Sequence, residues 1–300
     1  MIKAKPFLKW AGGKGQLLEK LQILYPHELI NGNIQTYIEP FVGGGAVFFD
    51  VLQRYEVERA IIIDLNRELI NCYCCIKKNV QILIEQLSIL QRQYIEMDLE
   101  KRAELFAVVR ARYNQTKLKR EFDFEKAADF IFLNKTCFNG LYRVNSKGEF
   151  NVPFGKYKNP KICDAGNLSA VHQLLQNVII LHGDYTKCKN YLSSQTFIYF
   201  DPPYRPITET QNFVGYSQNG FNDDNQRELA LFVMEMSNRG CKILLSNSDP
   251  KNANIDDNFF DNLYKDFFIS RIMAKRIINC QAEKRGSITE IIVANYRGVA

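Results

Sequence analysis

The sequence is poor in several features on which common functional classes depend. It has three histidines and one tryptophan among 300 residues. No uninterrupted apolar run approaches the roughly 20 residues that a membrane-spanning helix needs. The amino terminus carries lysines but lacks the apolar segment of a secretory signal. We therefore expect no membrane association and an intracellular, cytoplasmic location.

The cysteines do not form a metal-binding pattern. The chain has eight of them, and without an export signal we expect reduced thiols. Cys72 and Cys75 form a C-x-x-C pair inside a helical pattern, but no second pair or nearby histidine completes a zinc site. These thiols are expected to pack as small buried hydrophobes, and we expect no bound metal.

Charge is only mildly unbalanced. The net charge of +6 and the pI near 8.8 suit a polyanionic partner without demonstrating one. We expect the basic run at 117–120 to be solvated surface. The length suits one large α/β domain with a smaller inserted one.

The most informative stretch is TFIYFDPPY at residues 196–204. Residues 197–200 predict a strand buried on both faces, and two prolines end it at once. Asp201 precedes proline, so it is held extended at the carboxyl end of the strand, where open α/β sheets bind ligands. A carboxylate and the Pro202 carbonyl can accept hydrogen bonds from a ring amino group, and Tyr204 can stack on that ring. The alternative is a strand-ending turn with a surface tyrosine.

Two glycine-rich segments predict close backbone approach to a ligand. Gly12, Gly13 and Gly15 surround Lys14, but the residue after Lys14 is not Ser or Thr, which excludes a Walker phosphate loop. A second segment has strand 36–38, then Glu39, then three glycines at 43–45 and a helix, an order typical of a nucleotide or cofactor cradle.

The strand at 59–64 ends in Asp64, which is placed to accept from a ribose diol. The same geometry serves dinucleotide enzymes, so Asp64 does not by itself identify the cofactor. Another predicted strand at 177–181 runs into His182 and Asp184, and we expect His182 to be structural.

Periodicity predicts the remaining elements. Strands are expected at 241–247, 267–272 and 288–294. Helices are expected at 16–24, 46–52, 66–77, 80–94, 101–113, 124–135, 223–237 (capped by Asp223 or Asp224) and 256–265.

Residues 138–155 predict a β-hairpin with its turn at 145–148. Basic and amide side chains alternate there with apolar ones, a mixture that suits groove recognition and intrusion between base steps. From the pattern alone, an ordinary surface hairpin explains the segment equally well. The long loop at 205–222, which contains Phe213 and Tyr216, is expected to be a functional lid, and the basic link at 275–287 is expected to lie near a polyanionic partner.

Three motifs in one fixed order carry a resemblance to a known family. Asp201-Pro202-Pro203-Tyr204 resembles the catalytic motif of amino-group DNA methyltransferases. FLKWAGGK at 7–14 and IEPFVGGG at 38–45 resemble segments of the Dam-type (alpha-group, D12 class) adenine-N6 enzymes, including GATC-specific members. The resemblance runs from about residue 5 to Tyr296.

The resemblance implies an α/β Rossmann-like methyltransferase core at 1–78 and 165–300. It implies a mainly helical insertion with a β-hairpin at 79–164 as the DNA target-recognition domain. The methyl donor would be S-adenosylmethionine. Asp201 and the Pro202 carbonyl would accept the N6 hydrogens of a flipped adenine, and Tyr204 would stack on its ring. Cofactor contacts would come from Trp10, Ala11, Gly12, Lys14, Glu39, Phe41, Gly43, Asp64, Asp184 and Asp201.

The resemblance also implies double-stranded DNA as substrate, with GATC as the target. Arg143 would recognise a guanine edge, and Lys9 would add a guanine contact. The expected DNA-binding residues are Lys9, Phe138, Asn139, Leu141, Arg143 and Asn145. The resemblance leaves open whether a cognate restriction endonuclease is a partner. We expect the chain to be a monomer.

Three rival functions are weighed against this one. Cytosine-N4 methylation usually goes with Ser in place of Asp201. Methylation of RNA or of a protein glutamine more often goes with Asn there and lacks the hairpin. A DNA-binding regulator without chemistry predicts damaged motifs, whereas Trp10, Lys14, Glu39, Asp64 and the Asp201 motif are intact.

Overall fold

The structure is a computed structural model that describes residues 2–115, 117–118, 122–206, 221–275 and 287–298. Three predicted features lie wholly or largely outside the described residues. These are the second half of the basic run at 117–120, most of the loop at 205–222 with Phe213 and Tyr216, and most of the link at 275–287.

Seven strands form one sheet within the described ranges, in the order β3-β2-β1-β4-β5-β7-β6. Strand β1 is parallel to β2 and β4, and β4 is parallel to β5, whereas β7 is antiparallel to both β5 and β6. Every predicted strand is present, with small shifts at the ends. The bounds are β1 Thr36–Glu39, β2 Arg59–Asp64, β3 Val178–His182, β4 Thr196–Phe200, β5 Lys242–Ser248, β6 Phe268–Lys275 and β7 Ser287–Ala294.

Strands β1 and β4 are buried along their whole length. Their apolar runs follow from this position, because an interior parallel strand is covered on both faces. Phe197 of β4 packs its ring against Tyr25 and Tyr37, with ring centroids 6.0 and 5.5 Å apart. The mixed α/β fold with a mostly parallel sheet is the predicted class.

The helices are α1 Leu18–Gln22, α2 His27–Ile30, α3 Ala46–Arg54, α4 Arg67–Glu96, α5 Leu99–Gln115, α6 Phe124–Thr136, α7 Ala165–Leu175, α8 Asp223–Asn238 and α9 Phe259–Leu263. Helix α4 joins two predicted helices across a non-helical residue, Asn79. Helix α9 is shorter than predicted. The predicted cap of α8 was wrong, because Asn222 rather than Asp223 or Asp224 accepts from the Asn225 N–H. None of the described helices is long and apolar enough to cross a membrane.

The chain divides into two compact units, each built from three segments. The first unit comprises Met1–Gly13, Gly43–Gln53 and Ile63–Asp184. The second comprises Lys14–Val42, Arg54–Ile62 and Tyr185–Ala300. The division into a core at 1–78 and 165–300 and a target-recognition domain at 79–164 stays a prediction.

In the first unit, α4 packs against α6 and α7, and α5 packs against α6. Helix α6 is buried along most of its length. Its Asp129, 1% exposed, is neutralised by Arg112, whose Nε lies 2.8 Å from Oδ2. This pairing lets a helix that carries a carboxylate sit in an apolar interior.

Candidate active site

In the second unit, Asp201 lies at the carboxyl end of β4. Lys14 Nζ lies 2.7 Å from each Asp201 carboxylate oxygen. Ser246, in the neighbouring strand β5, donates to Asp201 Oδ1 at 3.0 Å. Because Ser246 donates to Asp201, the Tyr199 hydroxyl 2.9 Å away donates to Ser246. The parallel pairing of Phe200 with Leu245 places Asp201 and Ser246 side by side.

Two opposing effects set the charge of this carboxyl. Burial raises the pKa of Asp201, and the Lys14 ammonium and the Ser246 hydroxyl act against that rise. Lys14 is 3% exposed and the Asp201 side chain is 19% exposed, so the ammonium is shielded from solvent and the carboxylate is only partly shielded. Hydrogen bonds to Asp201 are therefore stronger than they would be in open water.

Tyr204 is held at both its ring and its hydroxyl. The hydroxyl donates to Glu290 Oε2 of β7 at 2.5 Å, and Lys14 Nζ lies 4.6 Å from the ring centroid. Burial, followed by the nearby charges of Asp201 and Glu290, raises the pKa of Tyr204 well above its usual range, so the phenol stays neutral and donates. Sequence reasoning missed Glu290, although a lone acid in the run SITEIIVA could have drawn attention to it.

Buried amides hold the main chain beside Asp201. Gln226 Nε2 donates to the Pro203 carbonyl at 3.0 Å, and Asn247 Nδ2 donates to Gln226 Oε1 at 3.0 Å. Asn247 Oδ1 accepts from the Arg205 N–H at 3.1 Å. Gln226 and Asn247 are both 0% exposed. The path of residues 203–205 is thus fixed by side chains that the motif itself does not contain.

Glu39, at the carboxyl end of β1, is a buried acid of the second unit. It is 2% exposed and accepts from the Tyr37 hydroxyl at 2.8 Å. Because β1 and β4 are parallel, Glu39 and Asp201 lie at the same edge of the sheet. Phe41 follows, with its ring centroid 5.6 Å from that of Tyr185.

In the first unit, the glycine turn is bound to Asp64. Asp64 Oδ2 accepts from the Gly43 N–H at 2.9 Å and Oδ1 accepts from the Asn66 N–H at 2.8 Å. Burial raises the pKa of Asp64, and these two N–H donors oppose the rise. Gly43 has φ +47°, and a Cβ there would lie 2.7 Å from Trp10 Cδ1. Only glycine fits this position without displacing the indole.

Trp10 lies in an aromatic cluster of the first unit. Its ring stacks on Tyr142 with centroids 5.6 Å apart and on Phe130 with centroids 6.4 Å apart. Ala11 and Gly12 follow in a turn, and Gly12 has φ +75°.

Strand β3 carries the other predicted acid of the first unit. His182 Nε2 lies 3.2 Å from the Leu65 carbonyl, and its structural role stays a prediction. Asp184 comes two residues later, after Gly183, whose N–H donates to the Asp64 carbonyl at 3.0 Å. Asp184 is thereby tied through the main chain to the end of β2.

The predicted hairpin is present, but as isolated bridges rather than long strands. Val144 pairs with Phe150, and the turn closes through the Gly148 N–H and the Asn145 carbonyl at 2.9 Å. Asn145 Oδ1 also accepts from the N–H groups of Lys147 and Glu149. The Asn145 side chain thus reinforces a turn that main-chain bonds also hold, among them the bond from the Asn145 N–H to the Glu149 carbonyl at 2.9 Å.

The predicted DNA-binding residues lie on or near this segment. Phe138 is 50% exposed, Asn139 has φ +56°, and Arg143 Nε donates to Asn151 Oδ1 at 2.8 Å. Leu141 N–H donates to the Phe138 carbonyl and closes the short turn at 138–141.

Asn134 of α6 ties Lys9 to this turn. Its Oδ1 accepts from the Lys9 N–H at 2.9 Å, and its Nδ2 donates to the carbonyls of Lys9 and Gly140 at 2.8 and 2.9 Å. Sequence reasoning missed Asn134, which is 2% exposed. Its position in the otherwise apolar run FIFLN could have indicated a buried amide. Asn134 therefore holds the main chain of Lys9 beside that of Gly140 within the first unit.

These observations define an α/β protein whose parallel strands end in acceptor side chains, with Asp-Pro-Pro-Tyr after a central strand. Residues 10–278 match the family model for D12 class N6 adenine-specific DNA methyltransferases, and the chain belongs to this family. It is thus an adenine-specific DNA methyltransferase, as the resemblance predicted. The family methylates adenine N6 rather than cytosine N4, and it implies S-adenosylmethionine as the methyl donor.

Full-length relatives agree with the family assignment. The chain is 50% identical over 296 residues to the Type II methyltransferase M.MjaIII of Methanocaldococcus jannaschii, covering 98% of this chain and 100% of the relative. It is 39% identical to the Type II methyltransferase M1.LlaDCHI of Lactococcus lactis subsp. cremoris, covering 98% and 96%. It is 34% identical to the DNA adenine methylase of Haemophilus influenzae, covering 97% and 93%.

The residues present fit S-adenosylmethionine by their chemistry. The donor carries an ammonium, a sulfonium and a ribose diol, all of which are served by carboxylate acceptors. The second unit offers Glu39, and the first offers Asp64 and Asp184. Gly43 and Gly45 have positive φ angles, and a Cβ at either position would collide with a side chain of the first unit, Trp10 at Gly43 and Tyr73 at Gly45, so both are held as glycine by packing.

Proposed function

We propose that the chain methylates N6 of an adenine that has been flipped out of a DNA duplex, within the sequence GATC. One observation carries the catalytic half of this proposal. The Lys14 ammonium contacts both Asp201 oxygens and also lies over the Tyr204 ring. Like the amino group of adenine, it is a nitrogen that carries N–H donors. The same two groups can therefore receive the amino group and the ring of an adenine.

Asp201, Pro202 and Tyr204 have separate roles in this scheme. The Asp201 carboxylate and the Pro202 carbonyl accept the two N6 hydrogens and direct the nitrogen lone pair, while Tyr204 stacks on the purine. When bound, S-adenosylmethionine would supply the methyl group from its sulfonium. The bond between sulfur and the methyl carbon would break as the N6–carbon bond forms, which leaves a neutral thioether. N6 then releases one proton, for which Asp201 is the assigned acceptor. Positioning and electrostatics supply the acceleration.

The cofactor contacts are proposed residue by residue. Asp64 accepts from the ribose hydroxyls, Asp184 from the adenine amino group, and Glu39 faces the positively charged end of the donor. The burial of Glu39 and the strand-end positions of all three acids support these roles. The remaining proposed contacts are Trp10, Ala11, Gly12, Lys14, Phe41, Gly43 and Asp201.

We further propose that residues 79–164 recognise the target sequence. Arg143, whose guanidinium is oriented by Asn151, contacts a guanine edge, and Lys9 contacts a second guanine. The half-exposed Phe138 enters the stack beside the flipped base, with Asn139, Leu141 and Asn145 on the adjoining DNA surface. The names of the Type II relatives favour a restriction endonuclease that acts at the same sequence.

The test is a methylation assay with tritiated S-adenosylmethionine. The substrates are duplexes with GATC, with GTTC, and with GATC that carries N6-methyladenine on both strands. Label in the first duplex alone supports N6 chemistry at GATC. Label in GTTC, or none in GATC but label in other DNA, overturns the target sequence.

Asp201→Ala tests the catalytic assignment in the same assay. We expect loss of methylation with weakened but measurable cofactor binding, because the acceptor of the N6 hydrogens is gone. Asp224→Ala is the matched control, since Asp224 is 82% exposed and pairs on the surface with Arg227. Turnover retained by Asp201→Ala contradicts the assigned role.

A further inference from the structure

Glu290 is a carboxylate that no role above uses. It lies in β7, a strand paired on both sides, where it stands opposite Ser248 of β5 and Ile272 of β6. Burial, and to a smaller extent the Asp201 carboxylate, raise the pKa of Glu290, whereas the Lys14 ammonium and the Tyr204 hydroxyl act against that rise. A carboxyl group shielded from water costs free energy unless it is hydrogen-bonded.

We propose that Glu290 is the positioning residue for Tyr204, fixing the plane of its ring and enriching its face with electrons for the methyl-transfer step. This inference rests on the proposed stacking of Tyr204 on the target adenine. It adds a residue that none of the sequence motifs contains.

The positioning part follows from the hydrogen bond and its support. The Tyr204 hydroxyl donates to Glu290 Oε2 at 2.5 Å, in the range of strong O–H to carboxylate bonds. The acceptor belongs to a backbone held by ladders on both sides, so it can move little. Ring and main chain are thus fixed at opposite ends, the hydroxyl by Glu290 and the Pro203 carbonyl by Gln226. A stacking platform must be held this closely to be useful in catalysis.

The electronic part requires Glu290 in its ionised form, which the Lys14 ammonium and the Tyr204 hydroxyl favour. A phenol that donates to a carboxylate has a more electron-rich ring than one that donates to a neutral group, and an electron-rich face attracts cations more strongly. During methyl transfer, positive charge moves from the sulfonium to the adenine N6. The Lys14 ammonium 4.6 Å from the ring centroid shows that this face already lies beside a cation.

The experiment is a double-mutant cycle with Glu290→Gln and Tyr204→Phe in the full chain, using GATC duplex and S-adenosylmethionine. We expect each single variant to lower kcat about tenfold, with KM for DNA and donor changed less than about twofold. The double variant should be no slower than Tyr204→Phe alone, because Glu290 then has no hydroxyl to act on. Glu235→Gln, a surface acid paired with Lys189, is the control and should match wild type.

A second readout follows the ring. With 2-aminopurine in place of the target adenine, emission from the complex reports stacking of the flipped base. We expect Glu290→Gln to change that emission when Tyr204 is present. The same substitution should leave the emission unchanged when it is added to the Tyr204→Phe variant.

The outcomes separate this inference from the proposed function. If wild type transfers no label to adenine, the proposed function fails. If wild type is active but Glu290→Gln keeps its kcat, or if the two losses multiply in the double variant, the inference is overturned. Should Glu290→Gln fail to fold, Tyr204→Phe still decides, because it removes only the donor; wild-type turnover by that variant overturns the inference.

Discussion

At the scale of single residues, the site is a chain of charge and hydrogen-bond partners around one carboxylate. Asp201 is accompanied by a cation, a hydroxyl and, through the Lys14–Tyr204 contact, an aromatic face. Each partner changes a different property. Lys14 opposes the rise that burial causes in the pKa of Asp201, Ser246 fixes the orientation of its carboxylate, and Tyr204 is the proposed stacking surface for a base.

Lys14→Met should shift the pH dependence of turnover. Asp201 must be ionised to accept the N6 hydrogens, its pKa is already raised by burial, and Lys14 opposes that rise. Without the ammonium the pKa rises further, so the acid limb of the kcat profile should move to higher pH by about 1–3 units. Steady-state rates across the acid and neutral range measure this. Lys101→Met, on an exposed face, is the control, and an unmoved acid limb would refute the coupling.

Arg143→Ala should relax the sequence preference at one base pair. Loss of a bidentate guanine contact is expected to reduce discrimination by about 1–3 kcal/mol. The measurement is kcat/KM on GATC and on duplexes changed at one position at a time. Arg239→Ala, which removes a surface partner of Glu235, is the control. A preference as sharp as that of wild type would move recognition to another residue.

At the scale of elements, the turn between β1 and α3 should tolerate no side chain at position 43. Gly43→Ala places a Cβ 2.7 Å from Trp10 Cδ1 at a φ of +47°, and we expect a loss of about 1–3 kcal/mol in the free energy of unfolding. Trp10 is the single tryptophan, so its emission reports the displaced indole directly. Gly15→Ala meets nothing within 4 Å and serves as control. Equal stability and emission in the two variants would contradict the packing.

The local parts of the fold and site were predictable from sequence, and the non-local parts were not. Strand β4 and its Asp-Pro-Pro-Tyr end follow from burial and proline chemistry within one short stretch of chain. The Tyr204–Glu290 bond depends on β7 entering antiparallel between β5 and β6, and no local pattern encodes that order. The helices α2 and α7 also escaped prediction, and the 4 residues of α2 contain too little periodicity to detect.

At the scale of the whole molecule, donor binding should stabilise the folded chain. A ligand present at about a hundredfold excess over its Kd adds about 2.7 kcal/mol, which raises Tm by several degrees. Asp64→Ala should reduce this shift, because a ribose acceptor is lost, whereas Asp224→Ala should keep it. Thermal unfolding with and without S-adenosylmethionine measures both. An identical shift in Asp64→Ala would remove Asp64 from the cofactor contacts.

The spread of the Lys14, Asp201 and Glu290 cluster along the chain has a consequence for synthesis. Lys14 leaves the ribosome early, whereas Glu290 belongs to β7, the last of the described strands in chain order, which separates β5 from β6. A nascent chain that has made every motif through Tyr204 still lacks the acceptor for the tyrosine hydroxyl. Methyl transfer at its full rate should therefore begin only when translation of β7 is finished. Chains that terminate before β7 should methylate DNA poorly.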